Sequence, residues 1–145
     1  MITVVIVAIL AAIALPSFLD SVRKSRRADA FTAITTVQQA QERWRGNKAE
    51  YATNAQLTLG VSASPPGLGL TTDTSSRYYT LALSDISASG YAVVAAAVAG
   101  RSQDQDGVCK VLGARIRGGN VTYSSGAAAV DFDAANPDPG RCWAR

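Results

Sequence analysis

The sequence predicts an α+β fold in which one long N-terminal α-helix packs on a short antiparallel sheet of three to four strands, followed by a disulfide-bounded C-terminal region. Three observations predict this arrangement. The chain up to Trp44 carries apolar residues at helical spacing, and short apolar runs beyond residue 76 have the pattern of strands. The only two cysteines of the sequence, Cys109 and Cys142, enclose the tail.

Residues 1–19 contain no charged side chain. As a helix rising 1.5 Å per residue, this run would be about 28 Å long, close to the roughly 30 Å of a bilayer's hydrocarbon layer. The run is apolar on every face, and the remaining chain is too small to bury all of those faces. We therefore predict two parts: residues 1–22, an apolar transmembrane or filament-core helix half, and residues 23–145, a globular head that includes the amphipathic helix half. The residues assigned to the apolar assembly surface are Ile2, Val5, Ile6, Ile9, Leu10, Ile13, Pro16 and Phe18.

The helix is predicted to kink near Pro16, because proline removes a backbone donor and disfavours helical geometry at the preceding residue. Beyond the proline, apolar side chains return at steps of three and four residues, which predicts one buried face. A stop is expected at Gly46 and Asn47. The residues on that predicted face are Phe18, Val22, Phe31, Ile34, Val37, Gln41 and Trp44.

The second half of the chain carries the strand signals. Residues 54–76 are rich in Ser, Thr, Gly and Pro and are predicted to form a loop. Alternating or continuous apolar runs predict strands over residues 77–84, 90–99 and 108–117, and a short fourth strand over residues 121–123. Short strands after one long helix favour an antiparallel sheet packed on the amphipathic helix half.

The tail from residue 124 onward is rich in Gly, Ala, Pro and Asp and has little to hold it in place. A bond between Cys109 and Cys142 would pin this tail to a strand, and in the chain-entropy model it would stabilise the fold by about 3.8 kcal/mol. We therefore predict a structural disulfide rather than two free thiols.

The composition excludes most catalytic chemistry. There is no histidine, so imidazole acid–base catalysis, serine and cysteine triads and histidine-based metal sites are excluded. Two distant cysteines form neither a four-ligand zinc site nor a Cys-x-x-Cys redox motif. We expect no catalytic residue, no metal and no cofactor, and a membrane-tethered enzyme is the least favoured class of function.

The formal net charge is +3, and residues 20–48 alone contribute +4. Arg23, Lys24, Arg26 and Arg27 directly follow the apolar run, and we interpret them as a solvated face or a contact with lipid headgroups. By the positive-inside rule these charges would place the rest of the chain in the cytoplasm. Two cysteines in a small domain indicate an oxidising compartment instead. A more basic segment upstream would remove this conflict.

The sequence of residues 1–18, MITVVIVAILAAIALPSF, followed by SRRADA at residues 25–30, resembles the N-terminal helix of type IV pilins. In that family a short leader is cleaved, a methylated Phe becomes the first residue, and a glutamate that pairs with a neighbouring subunit follows it. The positions of that Phe and glutamate would precede residue 1 of this sequence. The segment NKAEYAT at residues 47–53, DGVC at residues 106–109 and Cys142-Trp143 resemble the disulfide-bounded minor pilins of the type IVa class.

The resemblance implies a structural subunit of a type IV pilus. Such a subunit is held in the inner membrane with a periplasmic head before assembly, and its N-terminal helix packs in the core of the fibre at the bacterial cell surface. The implied partners are copies of the chain or other pilins, the inner membrane and the pilus assembly machinery. Adhesion, twitching motility or DNA uptake would be roles of the whole filament.

Two alternatives remain open. One is a type II secretion pseudopilin. The other is a DNA-binding minor pilin that serves as a receptor for DNA uptake, with Arg115, Arg117 and Arg141 as candidate DNA contacts. Basic residues that could converge near the disulfide in that case are Arg101, Lys110, Arg115, Arg117, Arg141 and Arg145. The acidic residues near them make this second alternative less favoured than a purely structural role.

Overall fold

The computed structural model describes residues 2–143, apart from the side chains of residues 11 and 14–17. A single long helix, α1 (Ile2–Arg45), is followed by four strands in sequential order in one antiparallel sheet. The strands are β1 (Tyr79–Ser84), β2 (Gly90–Ala97), β3 (Val111–Arg117) and β4 (Asn120–Gly126), and two short 3₁₀ turns lie at Asn54–Gln56 and Ser102–Gln105. This arrangement confirms the predicted α+β fold.

The second half of α1 packs on the sheet through the face that the spacing predicted, except that Phe18, placed on the same face, is 65% exposed because it lies before the part of the helix that meets the sheet. Ile34, Val37 and Gln41 are buried, and the core opposite them includes Val93 and Leu112. Gln41 is tolerated in this core because its amide is fully used. Its Nε2 donates to the carbonyl of Ala52 at 2.9 Å, and its Oε1 accepts from the Ala52 N–H at 2.8 Å. The pair of bonds fastens the segment after the helix to the helix itself.

The helix ends at Arg45, where the Gly46 N–H still donates to the Glu42 carbonyl, so the predicted stop is confirmed. α1 continues through Pro16, and the proline therefore does not end the helix. The extent of bending at Pro16 stays a prediction, because that side chain lies outside the described residues. Among the described residues, no helical segment is both long enough and apolar enough to cross a membrane.

The fourth strand is longer than the sequence predicted, because its second half is polar and buried. Ser124 and Ser125 are both buried in β4. The Ser124 hydroxyl donates to the Pro137 carbonyl at 2.8 Å, and the Ser125 N–H donates to the same carbonyl at 2.8 Å. An apolar pattern could not predict the second half of β4, because its buried residues are serines that are hydrogen-bonded to the tail.

The tail crosses the sheet face opposite the helix and is fixed by the predicted disulfide. Cys109 and Cys142 are bonded, with their Cα atoms 5.7 Å apart. Gly113 in β3 leaves room for the ring of Phe132, which comes within 2.8 Å of where a Cβ would stand. The tail is therefore held by packing and hydrogen bonds as well as by the disulfide.

Candidate functional site

The first half of α1 projects from the head as an unburied apolar rod. Ile2 is 78% exposed, Ile13 is 70% exposed and Phe18 is 65% exposed. Isolated soluble proteins rarely leave such a continuous apolar surface open, and a surface of this kind indicates an interaction site. The other exposed large apolar residues of this rod are Val4, Val5, Ile6, Val7, Ile9, Leu10 and Leu19. Of the predicted assembly residues, Pro16 lies outside the described side chains.

The basic run after the rod is folded into the head rather than solvated throughout. Arg27 forms a salt bridge with Asp106 at 2.7 Å, and the Asp106 side chain is only 5% exposed. Asp106 also accepts hydrogen bonds from the amide of Gln103 at 3.0 Å and from the N–H of Cys109 at 3.0 Å. Burial by itself would raise the pKa of Asp106, but the Cys109 N–H and the Arg27 guanidinium outweigh it and lower that pKa below its usual value.

Next to this salt bridge, two arginines meet at one aromatic ring. The guanidinium carbon of Arg26 lies 4.0 Å from the centre of the Tyr78 ring, and that of Arg101 lies 5.9 Å from it. Arg26 also donates a hydrogen bond to the hydroxyl of Ser102. We call these four residues, Arg26, Tyr78, Arg101 and Ser102, the Tyr78 cluster.

Sequence reasoning missed the Tyr78 cluster. Arg26 and Ser102 are 76 residues apart, so no local motif joins them. The signal in the sequence that could have indicated this cluster is the basic run itself, because its arginines lie where the helix enters the head. Two of them have partners in the loop between β2 and β3, and the interpretation as a solvated face was wrong for Arg27, which pairs with a buried carboxylate.

Arg115, one of the three arginines predicted to contact DNA, is tied to the tail. Its guanidinium forms two hydrogen bonds with Asp133, at 2.8 and 2.5 Å, and a third with the Phe132 carbonyl at 3.2 Å. The hydrogen bond from Arg115 is the main reason why the pKa of Asp133 lies below its usual value. This geometry makes Arg115 an anchor for the tail, with its charge compensated.

The other two candidate DNA contacts lie at opposite ends of the sheet. Arg117 is exposed at the end of β3, facing Asn120 across the hairpin turn. Arg141 is exposed beside Cys142, which is bonded to Cys109 just before β3 begins. A seven-residue strand is about 20 Å long, so the structure does not bring these two side chains together. Arg145, also considered in that group, lies outside the described residues.

The disulfide end of the head carries an aromatic stack and a groove. Trp143 stacks on Phe31 of α1 with ring centres 4.6 Å apart, and it contacts Tyr123 of β4 at 4.6 Å. A groove of about 1020 Å³ runs beside this stack between α1 and the end of the tail. The charged residues that line the groove are Lys24, Arg27 and Arg141. Three threonines also line it, Thr32, Thr35 and Thr36, and their hydroxyls donate to helix carbonyls one turn earlier.

The arrangement offers surfaces for binding. Within residues 2–143, the described side chains include no group of three or more Cys, Asp or Glu residues placed to hold a metal ion. Both cysteines are consumed in the disulfide. What remains is an apolar rod and a head with several basic side chains.

Comparison with known proteins agrees with this combination. No curated protein matches the chain. Residues 16–113, well over half of the sequence, match a protein family described as "Type IV minor pilin ComP, DNA uptake sequence receptor". The match extends from the apolar helix half through β1 and β2 into β3. The chain therefore belongs to this family of type IV minor pilins.

Proposed function

We propose that the chain is built into a type IV pilus filament as a minor subunit, with the apolar rod of α1 as its assembly element. The observation that carries this proposal is the exposure of the rod, whose large apolar side chains have no partner among the described residues. Removing apolar surface from water is favourable by roughly 25 cal/mol per Å². Rods from neighbouring subunits can provide that apolar surrounding for one another in the core of a fibre.

Before assembly, the same rod would hold the subunit in the inner membrane with the head in the periplasm. Moving a helix from lipid into a helix bundle exchanges one apolar surrounding for another, so packing and polar pairs decide the balance. The pilus assembly machinery would supply the work of extraction. An oxidising periplasm also accounts for the disulfide.

A charged residue in the rod tests this proposal. Ile9→Glu puts a carboxylate into the middle of the rod, where Ile9 is 56% exposed. Val61→Glu is the matched control, because Val61 is a 71% exposed apolar residue of the head. We expect Ile9→Glu to remove the chain from sheared pilus fractions in an immunoblot, while Val61→Glu leaves it there. Equal incorporation of both variants would contradict the proposal.

A second candidate function is DNA binding for uptake, and two observations favour it. The matched family is described as a DNA uptake sequence receptor. The head, residues 23–145, holds fourteen basic and ten acidic residues, so its formal net charge is +4. Positive side chains bind the phosphate backbone and release counterions, which makes such binding weaken as salt is added.

The DNA proposal is tested with the full chain in a non-ionic detergent and a fluorescently labelled duplex, by anisotropy over a series of salt concentrations. We expect saturable binding whose logarithmic salt slope is about −0.9 per phosphate contact. Binding that is absent, or that does not respond to salt, would contradict a DNA receptor. The variant R115A/R117A/R141A removes three arginines, but Arg115 is already paired with Asp133. We therefore expect this variant to weaken DNA binding less than the removal of three unpaired arginines would.

A further inference from the structure

The Tyr78 cluster brings two positive side chains to one aromatic ring. Arg26 and Arg101 both lie against one ring, at 4.0 and 5.9 Å from its centre. Among the described residues, neither guanidinium forms a salt bridge. Two like charges beside one ring repel each other, and an anion bound between them would be attracted to both.

Two carboxylates of the loop between β2 and β3 are already used by other cations. Asp106 pairs with Arg27 at 2.7 Å, and Asp104 pairs with Lys110 at 3.0 Å while it accepts a hydrogen bond from the Gly100 N–H. These pairings lower the pKa values of both carboxyls, so both are ionised and occupied at neutral pH. The loop thus supplies partners for Arg27 and Lys110 and leaves the guanidiniums of Arg26 and Arg101 for a ligand.

We propose that the Tyr78 cluster binds one phosphodiester group of DNA, an inference that rests on the DNA-binding function proposed above. A guanidinium presents its N–H donors in a planar fork that matches phosphate oxygens, and two such forks can hold one phosphate from two sides. The Ser102 hydroxyl accepts a hydrogen bond from Arg26, which leaves its own proton free to donate to a phosphate oxygen.

Tyr78 is the positioning residue of this cluster. Tyr78 is half-buried and directly precedes β1, and its ring attracts both guanidiniums through cation–π contacts. The ring therefore limits the conformations of two long side chains before DNA arrives, which reduces the entropy lost on binding. Arg101 is exposed, so a DNA backbone can reach the cluster from solvent.

The test compares two double variants with equal loss of charge, each in the full chain in non-ionic detergent. R26Q/R101Q removes the cluster's cations. R43Q/K48Q is the matched control, since both residues are exposed at the opposite end of the head-packed helix and Lys48 also lies over an aromatic ring, that of Trp44, at 5.6 Å. Anisotropy with duplex DNA over a salt series gives affinity and salt slope. We expect R26Q/R101Q to weaken binding about tenfold or more and to reduce the slope by about 0.9, and R43Q/K48Q to leave both near wild type.

Three further measurements keep the result unambiguous. R101Q alone changes an exposed side chain, so this variant should fold normally and still reduce the salt slope of DNA binding.

The Tyr78 variants test the ring. Tyr78→Leu should lower the affinity for DNA without changing the salt slope, and Tyr78→Phe should keep wild-type affinity because the ring remains. On a duplex whose backbone carries uncharged methylphosphonates, wild type and R26Q/R101Q should bind equally. A difference that persists on this neutral duplex would overturn the phosphate contact.

The two proposals fail in different ways. If wild type binds DNA and R26Q/R101Q binds as wild type does, or no worse than R43Q/K48Q, the cluster is not the phosphate site and the DNA receptor function stands. If wild type itself does not bind DNA, the receptor function is overturned and the inference with it. Unfolding curves of each variant in urea show whether a loss of binding is a loss of fold.

Discussion

At the scale of single residues, Asp106 connects the helix to the loop that leads into the disulfide. One of its oxygens accepts from Arg27 and Gln103, and the other accepts from the N–H groups of Val108 and Cys109. A carboxylate with all its lone pairs occupied tolerates burial, whereas an uncompensated one does not. Asp106 therefore joins α1, through Arg27, to the loop before the disulfide.

The variant Asp106→Asn should destabilise the fold by about 3 kcal/mol, because it leaves the Arg27 guanidinium largely buried without its counter-charge. The pKa of Asp106 is lowered in the folded chain, so the carboxylate stabilises the fold above its ordinary pKa of about 3.9. That stabilisation is lost as pH falls through the folded value. Urea unfolding should show a constant difference between wild type and variant from neutral pH to about pH 5, and a shrinking difference below it.

Glu50→Gln is the control for this change, since Glu50 is exposed and its side chain has no ion pair among the described residues. It should unfold within about 0.5 kcal/mol of wild type. A difference between wild type and Asp106→Asn that persists at acid pH would show that the stabilisation comes from packing and not from the charge of Asp106.

Residues of the helix could be predicted from spacing, while pairs across the fold could not. Ile34, Val37 and Gln41 were placed on the buried face by a periodicity that local sequence contains. The partners of Arg27 and Arg115 are 79 and 18 residues away, and no local rule selects them. The disulfide was the exception, because a chain with two cysteines allows only one intramolecular pair.

At the scale of elements, the β2–β3 pairing depends on a glycine at the start of β2. Gly90 lies opposite Arg117, and a Cβ at this position would overlap the carbonyl oxygen of Ile116. A backbone atom cannot rotate away as a side chain can, so one strand would have to shift. We expect Gly90→Ala to cost about 1–3 kcal/mol in urea unfolding.

Gly107→Ala is the matched control, since a Cβ there meets no atom within 4 Å. It should leave the unfolding midpoint unchanged or raise it slightly, because alanine restricts the unfolded chain more than glycine does. Equal effects of the two substitutions would show that the close approach at Gly90 carries no cost.

The tail has two kinds of attachment, and the double variant Cys109→Ser/Cys142→Ser separates them. Loss of the disulfide should destabilise the fold by about 3.8 kcal/mol in the chain-entropy model. The hydrogen bonds of Ser124 and Ser125 to the tail remain, so we expect the far-UV circular dichroism spectrum of the variant to stay native under mild conditions. An unchanged urea midpoint would mean that the bond contributes nothing beyond those contacts.

The disulfide itself is checked in the wild type, where mass spectrometry of unreduced, alkylated protein should find no modified thiol.

At the scale of the whole molecule, one helix has an exposed apolar half and an amphipathic half packed in the head, as the apolar pattern of the sequence predicted. The apolar half has no partner among the described residues, while the amphipathic half provides one wall of the core. The antiparallel sheet after the helix was also predicted, from the short strands. The positions of the basic residues relative to one another did not follow, because they depend on how the β2–β3 loop and the tail fold back on the helix and the sheet.

Deletion of residues 1–22 should give a folded monomer that cannot polymerise. The core residues of the helix lie beyond the cut, and both partners of the Arg27–Asp106 pair are retained, so the head keeps its packing. What the deletion removes is the apolar rod, and with it the surface that neighbouring subunits would cover. Sedimentation should show a single monomeric species with one cooperative unfolding transition, and electron microscopy should show no fibres under conditions in which the full chain enters pili. Filaments formed by the truncated chain would mean that the head, and not the rod, drives assembly.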